Sequence, residues 1–318
     1  MLVTGSSGAL GSWLVEGLLA HPLVGEVTAL DLAPWPRSAH RRRRSVKADA
    51  RDAVYLRSIL EEGPIDTVFH LVNRPEGKHD RYADTLASDT AMALLDAASR
   101  APRVEKLVLF STAWAYGPRW RNAVPLTEEH PLRATGMGGA AAARAMEEAI
   151  EREIGASARA TLQVSILRFC PVAGLGGAPR AAAPKLAALP FAPSVLLRDC
   201  PLQFLDAEDA RRALLKVFEA RQFHGVFNIA PDGWTTLKTI HRRLGRLPVP
   251  LPYFAVWLTL YACRLARPEW DLGEADAPYL RYPVVLDNAK FKKAADFDFK
   301  KTSEEAFLGA WGTKTLGR

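Results

Sequence analysis

The chain has 318 residues, 48% of them hydrophobic and 24% charged, and a formal net charge of +7. That length allows one large domain or two ordinary ones with a substantial core, and the balance is ordinary for a soluble globular protein. Its three cysteines, Cys170, Cys200 and Cys263, are scattered with no CxxC and no His/Cys ligand spacing. This argues against a disulfide framework and a structural zinc, so no metal site is expected, and it suits a reducing cytoplasm. The first residues do not read as a signal peptide, because a glycine-rich turn interrupts them before any long apolar run.

Taken in order, Leu2-Val3 lead straight into Thr4-Gly5-Ser6-Ser7-Gly8-Ala9-Leu10-Gly11, and an apolar helical pattern follows at Leu14, Val15, Leu18 and Leu19. This is a strand, a tight turn and a helix N-terminus. Glycine there permits backbone conformations that a Cβ forbids, and lets a pyrophosphate approach bare N–H groups at the positive end of a helix dipole. Val27 to Asp31 reads as a second strand, with Asp31 twenty residues after Gly11. An acidic residue at that place can accept hydrogen bonds from an adenosine ribose. A purely structural glycine turn is the competing reading.

Much of the positive charge sits in Arg37 through Lys47, with Arg41 to Arg44 continuous. It reads as a solvated loop; a cofactor phosphate or an anionic surface is the alternative, and no aromatic–basic interleaving elsewhere calls for nucleic acid. Ser45 to Ala48 is a short strand ending at Asp49. A helix from Ala53 to Glu62 is stopped by Gly63-Pro64. Ile65 to Val72 is a strand apolar enough for a sheet centre. A helix from about Asp84 to Ser99 and a strand from Val104 through Phe110, ending at Ser111-Thr112, complete the first half. The alternation calls for a doubly wound parallel sheet, an α/β architecture.

With these stretches laid out, the chain resembles an extended short-chain dehydrogenase/reductase of the NAD-dependent epimerase/dehydratase family, in the manner of the nucleotide-sugar epimerases. The resemblance rests on the glycine triplet, Leu30-Asp31, Ala48-Asp49, Val68 to Leu71, Ser111 to Gly117, Leu167-Arg168-Phe169, Phe204 to Asp209 and Val226 to Ala230, which occur in family order. It implies a Rossmann-type domain over residues 1–173 and a smaller α+β substrate lobe over 174–318, interleaved with it. It implies that Gly5, Ser7, Gly8, Ala9, Leu10, Gly11 and Asp31 hold NAD. Asp49 and Ala50 would lie at the adenine, Leu71 and Val72 would line the cleft, and Pro171 and Val172 would approach the nicotinamide. Thr112, at the end of its strand, would serve both cofactor and catalysis. NAD is favoured over NADP because Asp31 repels a 2′-phosphate, although Arg37 or Arg41 could neutralise one. The resemblance also implies a nucleotide sugar as ligand and leaves a homodimer open.

The family's chemistry uses a tyrosine and a lysine four residues apart on one helix face, the cation lowering the phenol pKa for proton exchange with a substrate hydroxyl. Here the corresponding positions are Gly139 and Ala143. The absence does not depend on register: no lysine occurs between Lys106 and Lys185, and Tyr116 is the only tyrosine from Ala83 to Pro252. Arg144 supplies a cation but no phenol, and reads as a helix-surface residue. The stretch from Gly139 to Glu153 still favours a helix, and Glu147 and Glu148 are expected to face solvent. Two functions compete: an enzyme with rearranged acid–base groups, and a catalytically weak dinucleotide-binding protein.

Thr161 through Leu167 is the sixth strand. Beyond it come an Ala/Pro-rich connection from Ala178 to Pro193, read as a candidate lid, and short strands at Ser194–Leu197 and Leu202–Leu205. A helix from Ala207 to Ala220 precedes a strand from Val226 to Ala230. Asp206 and Asp209 read as helix N-terminal acids and His70 as a hydrogen-bonded strand residue. Leu251 to Cys263 is nearly all apolar but too short to span a bilayer. It reads as a buried or substrate-lining helix, with peripheral membrane contact left open and a greasier substrate, a lipid or sterol-like alcohol, hinted at. Helices at Asn288–Phe297 and Thr302–Trp311 close the chain.

Overall fold

The computed structural model describes the chain except for residues 34, 36–39, 73–80, 136–138, 158–160, 176–181, 190, 267–273 and 313–318. Arg37, the beginning of the Ala178–Pro193 connection and part of the stretch before Gly139 therefore lie outside the described residues.

A seven-stranded, wholly parallel sheet carries the first two thirds of the chain. Its strands are β1 (Leu2–Thr4), β2 (Val27–Asp31), β3 (Arg43–Lys47), β4 (Thr67–His70), β5 (Lys106–Thr112), β6 (Gln163–Phe169) and a late-arriving strand at Gly225–Ile229. The spatial order is Gly225–Ile229, β6, β5, β4, β1, β2, β3. Helices α1 (Ala9–Ala20), α2 (Ala53–Glu62), α3 (Arg81–Arg100) and α4 (Gly139–Ser157) connect the strands. The central strands are apolar on both faces because helices cover both faces. One cluster joins Leu14, Val15 and Leu18 of α1 to Val3, Phe69 and Val108; a second joins Leu56 and Leu60 of α2 and Leu94 of α3 to Leu2, Val68 and Leu107. The order of strands reverses between β1 and β4, and open α/β sheets take their ligands in the crevice at that point.

Local signals fixed several boundaries. Asp52 caps α2 by accepting from the Tyr55 N–H at 3.0 Å, and Gly63 ends it. The basic run is loop only in part: Arg41 and Arg42 lie in a turn, and strand begins after them. Arg43 and Arg44 open β3, the sheet's outer strand, where charged side chains discourage a further strand from pairing. Arg42 turns inward and donates to the Leu19 and Val24 carbonyls at the end of α1.

The remaining elements are β7 (Val172–Ala173), α5 (Ala182–Ala187), β8 (Pro193–Val195), β9 (Pro201–Leu202), β10 (Leu205–Asp206), α6 (Ala207–Glu219), β11 (the Gly225–Ile229 strand), β12 (Thr235–Thr236), α7 (Leu237–Arg243), β13 (Val249–Leu251), α8 (Tyr253–Ala266), α9 (Ala289–Ala295) and α10 (Ser303–Phe307). Of these, α6, β11 and α9 pack into the core of the large sheet, while α5, α7, α8 and α10 gather round a separate apolar cluster, a smaller lobe. The expected strand over Leu202–Leu205 is two pieces in different two-stranded sheets, β9 with β12 and β10 with β7. The chain turns between them because Gln203 is buried and hydrogen-bonds Pro231, Gly233 and Leu286. Within the expected lid, Ala182–Ala187 is α5, a helix whose side chains are all buried, Phe191 is exposed and Pro193 opens β8. Asp206 caps α6, and Asp209 accepts from the Lys300 and Lys301 N–H groups. The buried Lys106 ammonium of β5 donates to the Val217, Phe218 and Ala220 carbonyls, which closes the other end of α6 and welds it to the sheet.

Candidate functional site

The glycine turn stands at the reversal point, and its three glycines meet different constraints. Gly5 has φ +70°, and a Cβ there would stand 2.7 Å from the Leu71 carbonyl carbon and 2.8 Å from the Val72 nitrogen. A Cβ on Gly11 would stand 2.1 Å from the Gly5 carbonyl oxygen. Both are demanded by the protein's own packing. Gly8 is exposed, and its nearest obstacle is 3.3 Å away. Its missing side chain leaves open space outside the turn, at the N-cap of α1, where no side chain caps the helix. The first N–H groups of α1, at Ala9 and Leu10, thus have no intrahelical acceptor.

Asp31, at the end of β2, accepts from the Ser7 N–H at 2.9 Å and the Ala33 N–H at 3.0 Å, which draws its carboxylate to the rim of the turn. Leu71 and Val72 leave β4 directly against Gly5, with the Leu71 N–H donating to the Thr4 carbonyl. Asp49 and the buried Ala50 follow β3. Hydrogen bonds from the Arg51 guanidinium hold the Asp49 carboxyl below its usual range. Thr112 ends β5, its hydroxyl accepting from the Trp114 N–H at 3.3 Å. Pro171 and Val172 follow β6, half-buried. The turn, Asp31, Leu71, Val72, Asp49, Thr112, Pro171 and Val172 thus all lie at or just past the carboxyl ends of parallel strands, along one edge of the sheet.

Gly139 and Ala143 lie four residues apart in the first turns of α4, and so on one face. A Cβ at Gly139 would meet nothing within 4 Å. Arg144, one residue on, donates to the Ala134 carbonyl at 3.1 Å, and the Ala134 N–H donates to the Ala115 carbonyl at 3.0 Å. These bonds tie the start of α4 to the turn (Ala113–Tyr116) that follows Thr112. Arg144 also pairs with Glu148 at 2.7 Å, the surface role expected of it.

Glu147 overturns its expectation. It is fully buried and pairs with Arg168 of β6 at 2.7 Å while accepting from the Ser111 hydroxyl. Arg168 donates to the Tyr116 hydroxyl at 2.7 Å, and that hydroxyl lies 2.9 Å from Asn228 Oδ1 and 3.1 Å from the Thr127 carbonyl. Burial pushes the Glu147 carboxyl upward against the opposing pull of the Arg168 charge, and burial likewise raises the Tyr116 phenol. The chain thus runs Ser111, Glu147, Arg168, Tyr116, Asn228, joining β5, α4, β6 and β11 beneath the site. The one visible sign in the sequence is Arg168, the only charged residue of β6.

His70 is fully buried. Its Nδ1 lies 2.7 Å from the Thr4 hydroxyl and its Nε2 3.0 Å from the Thr90 hydroxyl. The Thr90 proton goes to the Leu86 carbonyl at 2.7 Å, so Nε2 carries hydrogen and Nδ1 accepts from Thr4. Burial lowers the imidazole from 6.5 to about 3. Only the unfolded chain therefore takes up this proton between those values. This contribution to stability is complete above pH 6.5 and drains away as pH falls towards 3. Between pH 8 and pH 5 the loss from this group is about 2 kcal/mol. Urea titrations across that range should show this slope, and His70→Gln should flatten it whatever its effect on overall stability.

A small apolar pocket adjoins the same edge of the sheet. Trp114 and Pro171 form its floor, and Ala182, Leu202, Phe204 and Tyr279 of the smaller lobe wall it in. The Tyr279 hydroxyl donates to the Trp114 carbonyl at 3.0 Å.

Solved structures share this fold across nearly the whole chain. The Bordetella bronchiseptica enzyme WbmG, solved with NAD and UDP, is 21% identical with a TM-score of 0.72, covering 99% of this chain and 94% of that one. The Thermotoga maritima UDP-glucose 4-epimerase, solved with UDP-glucose, is 19% identical with a TM-score of 0.71 and covers 99% of each chain. The Bacillus anthracis dTDP-glucose 4,6-dehydratase, solved with NAD, is 17% identical with a TM-score of 0.73, covering 98% and 96%. An uncharacterized protein of Mycobacterium tuberculosis is 32% identical over 313 residues, 96% of this chain and 82% of its own length. The family model for NAD dependent epimerases/dehydratases matches residues 1–230. The chain belongs to the NAD dependent epimerase/dehydratase family.

Proposed function

We propose that this protein binds NAD(H) at the glycine turn and is catalytically weak towards nucleotide sugars. Residues 1–173 would carry the cofactor and 174–318, interleaved with them, the substrate lobe. The observation that carries the reading is the start of α4, tied through Ala134 to the turn after Thr112, which bears Gly139 and Ala143 where the acid–base pair is expected. The cofactor half rests on Gly8, open to solvent at the mouth of α1, and on Asp31 at the rim. A pyrophosphate over Gly8 would meet bare N–H groups, and Asp31 would take the ribose hydroxyls. Thr112 keeps a hydroxyl at the strand end for orientation. One observation favours a second reading, an active enzyme on a lipid- or sterol-like alcohol: the pocket beside Pro171 is walled by apolar side chains.

Calorimetric titration tests the cofactor half. NAD(H) should bind at least about tenfold more tightly than NADP(H), because Asp31 meets the 2′-phosphate with like charge. Gly8→Val should fold and lose most of this affinity, since the Gly5 carbonyl oxygen, 3.3 Å from the new Cβ, need shift only slightly while the added side chain would occupy the pyrophosphate's place. Equal or tighter NADP(H) binding, or a folded Gly8→Val with unchanged affinity, would overturn the assignment. Identification of nucleotide released on denaturation, beside a hydride-transfer screen of sugar nucleotides and hydrophobic alcohols, separates the two readings.

A further inference from the structure

Helix α8 is apolar on two faces, and the fold covers only one. Val256 and Leu260 are buried in the core of the smaller lobe. On the other side Phe254, Leu258, Tyr261 and Leu265 are 71%, 55%, 41% and 67% exposed. Their spacing of four, three and four puts them in one stripe along the helix. The stripe continues past the helix. The Leu196 N–H donates to the Leu251 carbonyl at 2.8 Å, which sets the Leu196-Leu197 turn beside the start of α8. Leu197 has φ +58° and is 92% exposed, a left-handed position that normally favours glycine or asparagine yet here holds a leucine out into solvent. A soluble monomer rarely leaves so continuous an apolar strip uncovered without a use for it.

Arginines border the strip. Along the chain from Gly233 to Pro268 there is no Asp or Glu, while Lys238, Arg242, Arg243, Arg246, Arg264 and Arg267 occur; of these Arg243 pairs with Glu304 and Arg246 donates to the Ala187 and Leu189 carbonyls. Arg264 is exposed in the last turn of α8, and Arg281 lies over the Tyr253 ring at its first turn, 4.7 Å from the centroid. Arg198, next to Leu197, lies over the exposed Trp120 ring at 4.2 Å. Arginine beside aromatic rings at the border of an apolar strip matches the depth profile of a membrane interface, where rings sit at headgroup level and cations meet lipid phosphates.

We propose that this face docks on an anionic lipid bilayer, with α8 lying in the interface plane and Leu196-Leu197 inserted beside it. Fourteen residues of helix measure about 21 Å, short of the ~30 Å hydrocarbon core, so the helix lies on the membrane and does not cross it. Among the described residues no helix is long and apolar enough to span a bilayer. A second copy of the chain would bring the same basic rim against itself, which like charges oppose. The docking is independent of the cofactor and catalytic readings.

Flotation of the full-length protein with phosphatidylglycerol–phosphatidylcholine vesicles tests it. The protein should float with these vesicles, should remain largely unbound with phosphatidylcholine alone, and should be released by high salt. Phe254→Glu/Leu258→Glu, both on the solvent side of α8, should lower the partition by roughly tenfold or more while leaving the circular dichroism spectrum and NAD affinity unchanged. Arg264→Glu, a milder change, should weaken binding to the anionic vesicles alone. Failure to float with anionic vesicles overturns the proposal. So does equal partition of the wild type and both variants, or a dimer in sedimentation velocity that Phe254→Glu/Leu258→Glu dissociates.

Discussion

On UDP- and dTDP-sugars the purified protein should turn over about 10²–10⁴-fold more slowly than family members that hold a tyrosine–lysine pair, the range that general acid–base help is typically worth. That corresponds to roughly 3–5 kcal/mol of barrier. The two groups nearest to hand do not substitute for the pair. The Tyr116 hydroxyl is buried among Arg168, Asn228 and the Thr127 carbonyl, and burial holds its proton more tightly than usual. Arg144 is engaged by Glu148 and the Ala134 carbonyl and brings no phenol. Gly139→Tyr with Ala143→Lys should raise turnover over the wild type and over either single change, because the space beside Gly139 is open and the two positions share a helix face. Steady-state kinetics by nucleotide-sugar conversion read both results. Wild-type turnover at ordinary enzyme rates would end the weak-catalyst reading.

Arg168→Met should cost about 3–5 kcal/mol of folding stability, measured by urea unfolding, because it leaves the Glu147 carboxylate buried without its partner. Arg168→Met with Glu147→Leu should recover a large part of that loss, since apolar groups of similar volume need no solvation. The double-mutant cycle isolates the pair. A single substitution within about 0.5 kcal/mol of the wild type would mean that water reaches the pair, against the near-zero exposure of both side chains.

The sequence by itself determined the elements whose signals are local. The glycine turn, Asp31 at the end of its strand and α2 between Asp52 and Gly63 all follow from backbone rules that act over a few residues. That no lysine falls between Lys106 and Lys185, and that Tyr116 is the only tyrosine from Ala83 to Pro252, is a matter of composition over a long stretch. Other features waited for the fold because their partners are remote. Glu147 looks like one more polar residue on an alanine-rich helix until β6 brings Arg168 against it. Arg43 and Arg44 read as loop residues, yet an outer strand tolerates them because its free edge faces water. Buried Lys106 closes a helix more than a hundred residues away. Gln203 divides what an apolar pattern would run as one strand. Helix α8 was legible as apolar, but periodicity does not say which of two apolar faces the rest of the chain covers. Packing against Val256 and Leu260 decided that, and left Phe254, Leu258, Tyr261 and Leu265 outside.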